Sequence, residues 1–477
     1  MVAYPSTRRR FPPGDSTHIV HARRVRPDSR ATDQRRLFAA ILSAVLPGLG
    51  QAFNRRARPA AIFAIPSLVL LGVAWLLFRL NTSSMLVAQA IVPGTLQLLL
   101  IINALVLAWR LVAVFEAFVD RRYPGKPGRL GGIGLVVVIV LVALPHAAAH
   151  VYGASAFSTF ERVFAGAGGD ATGGPDDDPG STTGPKPGRG ERVNVLLMGI
   201  DSGPSRTQAL TDSLMVISLD PVGRTVSMVS IPRDLVDVPL GNGDTFGPKI
   251  NSLLGWANRH EEDFPLGGTR ALEDAIGALL GVPIHYYAKV DLAGFVTMVD
   301  AVGGVDIEVA RPLSDKDYGG FGVGPGWSIG VGPHHLDGAN ALAYARIRRS
   351  TGENDFTRAG RQQEVLIALR DQAVEGGNFL FSLPALLAAV GDTVRTDLPA
   401  ERLPELAALA EEIGGERTTQ VVMTSPMVKS GGKNHKYGSV VIPVPKRIAE
   451  MVAIVFTEPG TPPGPWPTPK PSKAPTP

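Results

Sequence analysis

The chain of 477 residues contains no cysteine. Disulfides, zinc–thiolate centres and thiol nucleophiles are thereby excluded. A domain placed outside the cytoplasm must fold on its apolar core alone, which this length permits. No internal repeat is present, and the N-terminal arm shows no helix-turn-helix pattern. Gly319–Gly332 is rich in glycine, but no Gly-Lys-Ser/Thr follows, so it is not a phosphate loop and reads as a flap. No Ser–His pairing suited to covalent catalysis can be identified.

Charge is unevenly placed. Residues 1–58 carry twelve Arg and three Asp, a net of +9, while the whole chain is +4, so the remainder is acidic. Such an arm suits the cytoplasmic surface of a membrane better than nucleic acid. Three apolar blocks follow, Ala60–Phe78, Leu86–Trp109 and Gly131–Val151. Each is about 20 residues, enough to cross roughly 30 Å of hydrocarbon as helix. Leu37–Phe53 is shorter and is interrupted by Pro47-Gly-Leu-Gly50. Counting it as a span would put Asn54-Arg-Arg-Ala-Arg58 outside, against the positive-inside rule, so it reads as interfacial or re-entrant. The loop Arg79–Met85 holds one Arg, whereas Arg110–Arg129 holds Arg110, Arg121, Arg122, Lys126 and Arg129. Three spans with the N-terminus inside satisfy this distribution and place everything after Val151 outside. A signal peptide ending near Ala147-Ala-Ala149 is the competing reading, opposed by the long arm and the two earlier spans. His146 and His150, four apart, read as unpartnered interfacial residues rather than a metal pair.

The expected organisation is a cytoplasmic Arg-rich arm with its interfacial helix (1–58), three transmembrane helices (59–152), a flexible linker (153–190), an extracytoplasmic domain (191–456) and a Pro-rich tail (457–477). Asp176-Asp-Asp178 in the linker reads as a solvated charge run rather than a cation site. Within 191–456, strand signals at Val193–Ile200, Leu214–Leu219, Thr225–Ile231, His285–Val290, Val305–Val309 and Thr419–Met423 alternate with helical ones. The latter fall at Leu272–Leu280, Phe295–Ala301, Asp337–Tyr344, Asp355–Val374 and Ala400–Ile413. This interleaving predicts one α/β domain with a mixed sheet covered by helices.

Residues 345–363 hold five arginines, two carboxylates and three amides. Arg346 and Arg348 share a face only on extended backbone. Asp355, Arg358 and Gln362 share one face of a helix, and Leu366 and Leu369 continue it toward the core. Converging guanidiniums suit a multiply charged phosphate, which each grips bidentately. Asp201 ends the first strand, Asp212 begins the second, Arg233-Asp234 follows the third, and Lys249-Ile-Asn251 comes next. Carboxylates at strand ends of an α/β sheet sit where ligands bind. Asp201 and Asp212, with phosphate oxygens and water, make a candidate hard-cation site.

Gly199-Ile-Asp201, Ile231-Pro-Arg233-Asp234, Lys249-Ile-Asn251, Ala345-Arg-Ile-Arg348 and Asp355-x-x-Arg358-x-x-Arg361-Gln-Gln363 resemble, in kind and order, the motifs of the LytR-CpsA-Psr family. The likeness extends to Pro283–Ala301 and Val302–Asp306. It implies a three-layer α/β/α domain outside the cytoplasm that holds a polyprenyl phosphate in an apolar tunnel. The implied reaction moves a glycopolymer from a polyprenyl-pyrophosphate carrier to peptidoglycan. Asp201 and Asp212 would then bind Mg2+, with Mn2+ the alternative. Arg233, Arg346, Arg348, Arg358 and Arg361 would hold pyrophosphate, assisted by Lys249 and Gln362. Asp234 or Asp355 would act as base or as guanidinium orienter, and a carboxylate gripped by Arg makes a poor base. One departure stands out. Family members often carry Arg two residues before the Asp matching Asp212, where this chain has Leu210; Arg206 is the candidate substitute. The rival readings are a polyprenyl-pyrophosphate phosphatase, and a non-catalytic lipid-phosphate sensor or membrane-bound transcriptional regulator.

Overall fold

The structure, a computed structural model, describes residues 29–81, 86, 89–90, 92–120, 126–164, 185–201, 210–375, 393–402, 405–406, 409, 412–413, 417–432 and 435–464. The Asp176–Asp178 run and Arg206 lie outside these residues. The chain divides into two compact units, Met1–Leu70 with Val106–Pro145 and Leu71–Leu105 with His146–Pro477.

The N-terminal helices are α1 (Ser29–Val45), α2 (Leu49–Phe53), α3 (Ala57–Leu80), α4 (Pro93–Phe118) and α5 (Arg129–Val163). The last three are long and apolar enough to cross a membrane. Leu71, Trp75, Phe78, Leu105 and Leu141 are exposed along them, a surface that lipid would cover and water would not tolerate. The expected break at Pro47-Gly-Leu-Gly50 separates α1 from α2, with Gly48 at φ 104°. In the first unit, buried amides dock this corner on α4: Gln51 Nε2 donates to Ala113 O at 2.8 Å and Asn54 Nδ2 to Ala117 O at 3.0 Å. The second span is displaced from Leu86–Trp109 toward the C-terminus. The helix has Pro93 at its first position, where its missing N–H costs nothing, and continues past Arg110, whose guanidinium reaches Ala44 O. In the second unit, His146 is not unpartnered, because its Nδ1 lies 2.7 Å from Asn103 Oδ1. α5 continues to Val163, into the stretch expected to be linker.

The α/β domain starts with the meander β1 (Val193–Asp201), β2 (Leu210–Asp220) and β3 (Thr225–Ile231). β4 (Val238–Pro239), β5 (Thr245–Phe246), α6 (Leu253–Ala257), α7 (Gly267–Leu280), β6 (Tyr286–Asp291), α8 (Leu292–Ala301) and β7 (Val305–Val309) follow. Next come β8 (Leu313–Asp315), β9 (Trp327–Ile329), β10 (Gly332–Leu336), α9 (Gly338–Arg346) and α10 (Asp355–Glu375). β11 (Val394–Thr396), β12 (Thr418–Val422), β13 (Val428–Ser430), β14 (Val441–Pro443) and α11 (Pro445–Val455) complete it. The main sheet has the order β11-β6-β1-β2-β3-β12. It is mixed: β1 is parallel to β6 and β3 to β12, while β2 is antiparallel to both its neighbours.

β3 is buried at nearly every position, as a central strand covered on both faces should be. On one face Val229, Ile231, Leu196 and Met198 join α7 and α11 in a core with Leu272, Ile276, Ile448 and Met451. On the other, Gln363 of α10 donates to Ser230 Oγ and Val421 O, both at 2.9 Å, tying that helix across β3 and β12. A second core there packs Val299, Ile307, Trp327, Tyr344 and Val365 among α8, β7, β9, α9 and α10. Helices thus cover both faces, the three-layer arrangement expected. β2 begins four residues before the expected Leu214. The helix expected over Ala400–Ile413 is described only in part, beginning as a 3-10 turn, Ala400–Arg402. The glycine-rich segment joins β8 to β9 as a hairpin. The domain also runs beyond 456: Gly460 N donates to Asp220 Oδ2 at 2.9 Å.

Candidate functional site

The carboxyl ends of β1, β3, β6 and β12 and the start of β2 meet at one edge of the sheet. A bulge between Gly199 and Ile200 leaves Asp212 without a cross-strand partner, and so re-aims its side chain. Asp201 pairs across with Leu210, so the position at which the family often carries Arg stands directly beside Asp201.

A narrow cleft opens here, with Asp212, Ser230, Arg233, Asp355, Arg358 and Gln362 in its walls. Asn354 positions its helical wall. Its Oδ1 accepts from Phe356 N at 2.9 Å and Thr357 N at 3.0 Å, capping α10 and setting Asp355 in the first turn. Arg233 Nη1 donates to Asp212 Oδ1 at 2.7 Å. Three guanidiniums converge on Asp355 Oδ1: Arg358 Nη2 at 3.1 Å, Arg233 Nε at 3.8 Å and Arg348 Nη1 at 3.8 Å. At the rim, Arg346 Nη2 donates to Asp201 Oδ2 at 3.2 Å and Lys249 Nζ to Asp234 Oδ1 at 2.7 Å. Asn251 N donates to Arg233 O at 3.2 Å, which stitches the Lys249 segment to the Arg233 segment.

The charges do not balance. Asp355 Oδ1, Arg233 Nε and Arg358 Nε are buried without a hydrogen-bond partner. For Arg233, burial opposes the charge, but Asp212, Asp355 and Asp234 outweigh it and raise the pKa. Arg358 differs: burial, followed by repulsion from Arg233, lowers its pKa to about 10. A buried cation short of countercharge is costly, and a multiply charged anion in the cleft relieves that cost.

Arg233, Asp212, Asp355, Arg358 and Gln362 line the cleft together, Arg348 reaches Asp355, and Arg346 and Asp201 flank it with Lys249 and Asp234. Arg346 and Arg348 do not share a strand. Arg346 ends α9, and the extended turn begins at buried Ile347, with φ −57° and ψ 136°. Arg361 is not brought to the cleft. It is buried, donating from Nε to Tyr344 O at 2.7 Å, from Nη2 to Ile347 O, and pairing through Nη1 with Glu353. The helical periodicity that groups Asp355, Arg358 and Gln362 leaves Arg361 off that face. Glu353 was given no role by sequence reasoning. Its side chain is fully enclosed between Arg311 and Arg361, whereas a Glu beside Gly352 reads as a solvated loop residue. Buried Gln363 was likewise missed; an amide set three to four residues from apolar core positions was its only signal.

Fold, cleft and motif order together define the class. The LytR_cpsA_psr family model matches residues 176–452, more than half of the chain, and the protein belongs to this family. Among curated relatives, the polyisoprenyl-teichoic acid–peptidoglycan teichoic acid transferase TagV of Bacillus subtilis is 31% identical over 225 residues. That match covers 46% of this chain and 53% of TagV. TagU of Halalkalibacterium halodurans is 31% identical over 214 residues, covering 45% of this chain and 63% of TagU. The chain therefore spans between half and two-thirds of these relatives' lengths. The crystal structure of B. subtilis TagV aligns with a TM-score of 0.45 at 26% identity, covering 55% of this chain and 96% of that one.

Proposed function

We propose that the protein transfers a glycopolymer from a polyprenyl-pyrophosphate carrier to peptidoglycan. The observation that carries this reading is the cleft's uncompensated charge: Arg233, Arg348 and Arg358 around one Asp355 oxygen, with Arg358 pushed down to about 10. A pyrophosphate supplies the missing negative charge, and more of it develops on the leaving oxygens. An acceptor sugar hydroxyl attacks the sugar-linked phosphorus. A new P–O bond forms, the phosphoanhydride breaks, and the carrier leaves as polyprenyl phosphate. Asp355, ringed by guanidiniums, orients them, and Asp234, paired with Lys249 Nζ at 2.7 Å, would take the hydroxyl proton once Lys249 turns to the phosphate. Names of the teichoic acid transferases in the family support the substrate class.

Asp201 and Asp212 would hold Mg2+, or Mn2+. Two carboxylates, at the end of β1 and near the start of β2, would supply the oxygen donors such an ion takes, with phosphate and water completing the shell. Among the described residues no group of three or more His, Cys, Asp or Glu could hold a metal, and each of these two carboxylates is engaged by a guanidinium, Asp201 by Arg346 and Asp212 by Arg233, so the ion would share them with those arginines. Bound there, the ion would neutralise charge on the pyrophosphate. Calorimetric titration with Mg2+ alone should show weak binding, lost in Asp212→Ala, and chelator should stop turnover. Unchanged turnover in chelator removes the metal from the reading.

The membrane arrangement proposed is three spans, N-terminus inside, with the α/β domain outside. Protease added to spheroplasts should digest the domain and spare the arm; protection of the domain defeats this topology. The decisive test is turnover of a synthetic polyprenyl-pyrophosphate glycan with peptidoglycan. Arg346→Ala and Arg348→Ala should each lose about tenfold or more, the worth of one charged hydrogen-bonding partner. Wild-type rates in both would place the phosphate cradle elsewhere. Release of polyprenyl phosphate without glycan transfer would mean a phosphatase.

A further inference from the structure

Arg361 belongs to the motif that resembles a phosphate grip, yet each of its three nitrogens is already engaged. Nε donates to Tyr344 O at 2.7 Å, Nη2 to Ile347 O, and Nη1 pairs with Glu353 Oε2. The two carbonyls bracket the end of α9, where backbone acceptors lack helical partners and a cation is favourable. Between them stand Ala345 and Arg346; Arg348 follows directly. The guanidinium therefore fixes the direction in which both cleft arginines leave the helix. Glu353 holds it there. Its side chain is 0% exposed, with Oε1 on Arg311, before β8, and Oε2 also accepting from Thr357 Oγ1 of α10 at 2.7 Å. One carboxylate thus joins the β7–β8 connection, the end of α9 and the start of α10.

We propose that Glu353 and Arg361 form a positioning clamp for Arg346 and Arg348, and that Arg361 acts through this clamp without touching phosphate. The inference rests on the cleft reading above and assigns two of its residues. With Arg361 at 6% and Glu353 at 0% side-chain exposure, the pair leaves no open face for a ligand.

The test uses the full-length protein in nanodiscs, a synthetic polyprenyl-pyrophosphate glycan, a peptidoglycan fragment, and inorganic pyrophosphate as binding probe. Glu353→Gln, which keeps the shape and removes the charge, and Arg361→Ala should each lower kcat by about a hundredfold, the scale of an ångström's misplacement. KM for the peptidoglycan fragment should not change, because the clamp faces the phosphate segment. The double variant should be no worse than either single one, whereas Arg358→Ala should weaken pyrophosphate binding by the same factor in both backgrounds. If Arg361→Ala still lowers pyrophosphate affinity by its full factor in the Glu353→Gln background, Arg361 touches phosphate and the inference is overturned. Wild-type kcat in Glu353→Gln overturns it equally. If Arg358→Ala leaves pyrophosphate affinity unchanged, the cleft reading itself fails. Should Glu353→Gln melt the domain, Arg311→Ala removes only the outer pair, and a kcat there equal to wild type overturns the clamp.

Discussion

Both ends of the β1–β2–β3 meander hold Arg–Asp pairs, buried at the base and partly exposed at the mouth, and the two ends are built differently. At the base, Arg192 lies 3.4 Å from Asp220, donates from Nε to Thr457 O at 2.6 Å and from Nη2 to Thr457 Oγ1 at 3.0 Å. Asp220 accepts in addition from Val222 N, Gly223 N and Gly460 N, all within 2.9 Å. At the mouth, Asp355 faces three guanidiniums and makes no hydrogen bond through Oδ1. Burial lowers the pKa of Arg192 as it does that of Arg358, but at the base Asp220 works against the shift, while at the mouth Arg233 adds to it. The same residue types are complete where they hold the fold and incomplete at the mouth, where the proposed ligand would complete them.

The contrast breaks most visibly at the base. Asp220→Ala strands a buried cation and three amides, so unfolding by urea should reveal a loss of about 3–5 kcal/mol. A loss no larger than that of a mouth variant would erase the distinction. Arg358→Ala should invert the pattern: turnover falls roughly tenfold to a hundredfold, while stability changes by less than about 1 kcal/mol, since the cation removed was poorly compensated. pH sharpens the same point. With its folded pKa lowered to about 10, Arg358 sheds its proton in the folded state before it does so in the unfolded chain. Above that pH the unfolded state binds more protons, so stability should rise with pH while turnover falls. Arg358→Gln should lose both trends, and parallel trends in wild type and variant would assign them to other groups. Smallest is Arg349→Ala. Its partner Asp317 is exposed, so neither turnover nor stability should move by more than about 0.5 kcal/mol.

Where periodicity could be read, the sequence anticipated the structure closely. β3 and β7 have the expected bounds, and the shared face of Asp355, Arg358 and Gln362 becomes the wall of the cleft. Arg361 shows the limit. A motif gives residue type and order, but helix phase decides which guanidinium enters the cleft and which turns back to cap α9. Glu353 was illegible for a related reason. Its partners Arg311 and Arg361 are 42 and 8 residues away, and only tertiary packing shows that the loop between them is closed over. The second span was displaced because hydropathy counts Arg110 as an end, whereas a carbonyl from α1 satisfies it inside the helix.

The clasp at the base has a practical meaning for engineering. Arg192 enters the domain and Thr457 leaves it, and the two are hydrogen-bonded, so the ends of the α/β domain are neighbours in space. A fusion tag, fluorophore or tether attached after residue 464 would sit at the pole away from the mouth. By the same adjacency, a short peptide joining the two ends would allow new termini to be opened elsewhere, making this domain a natural candidate for circular permutation.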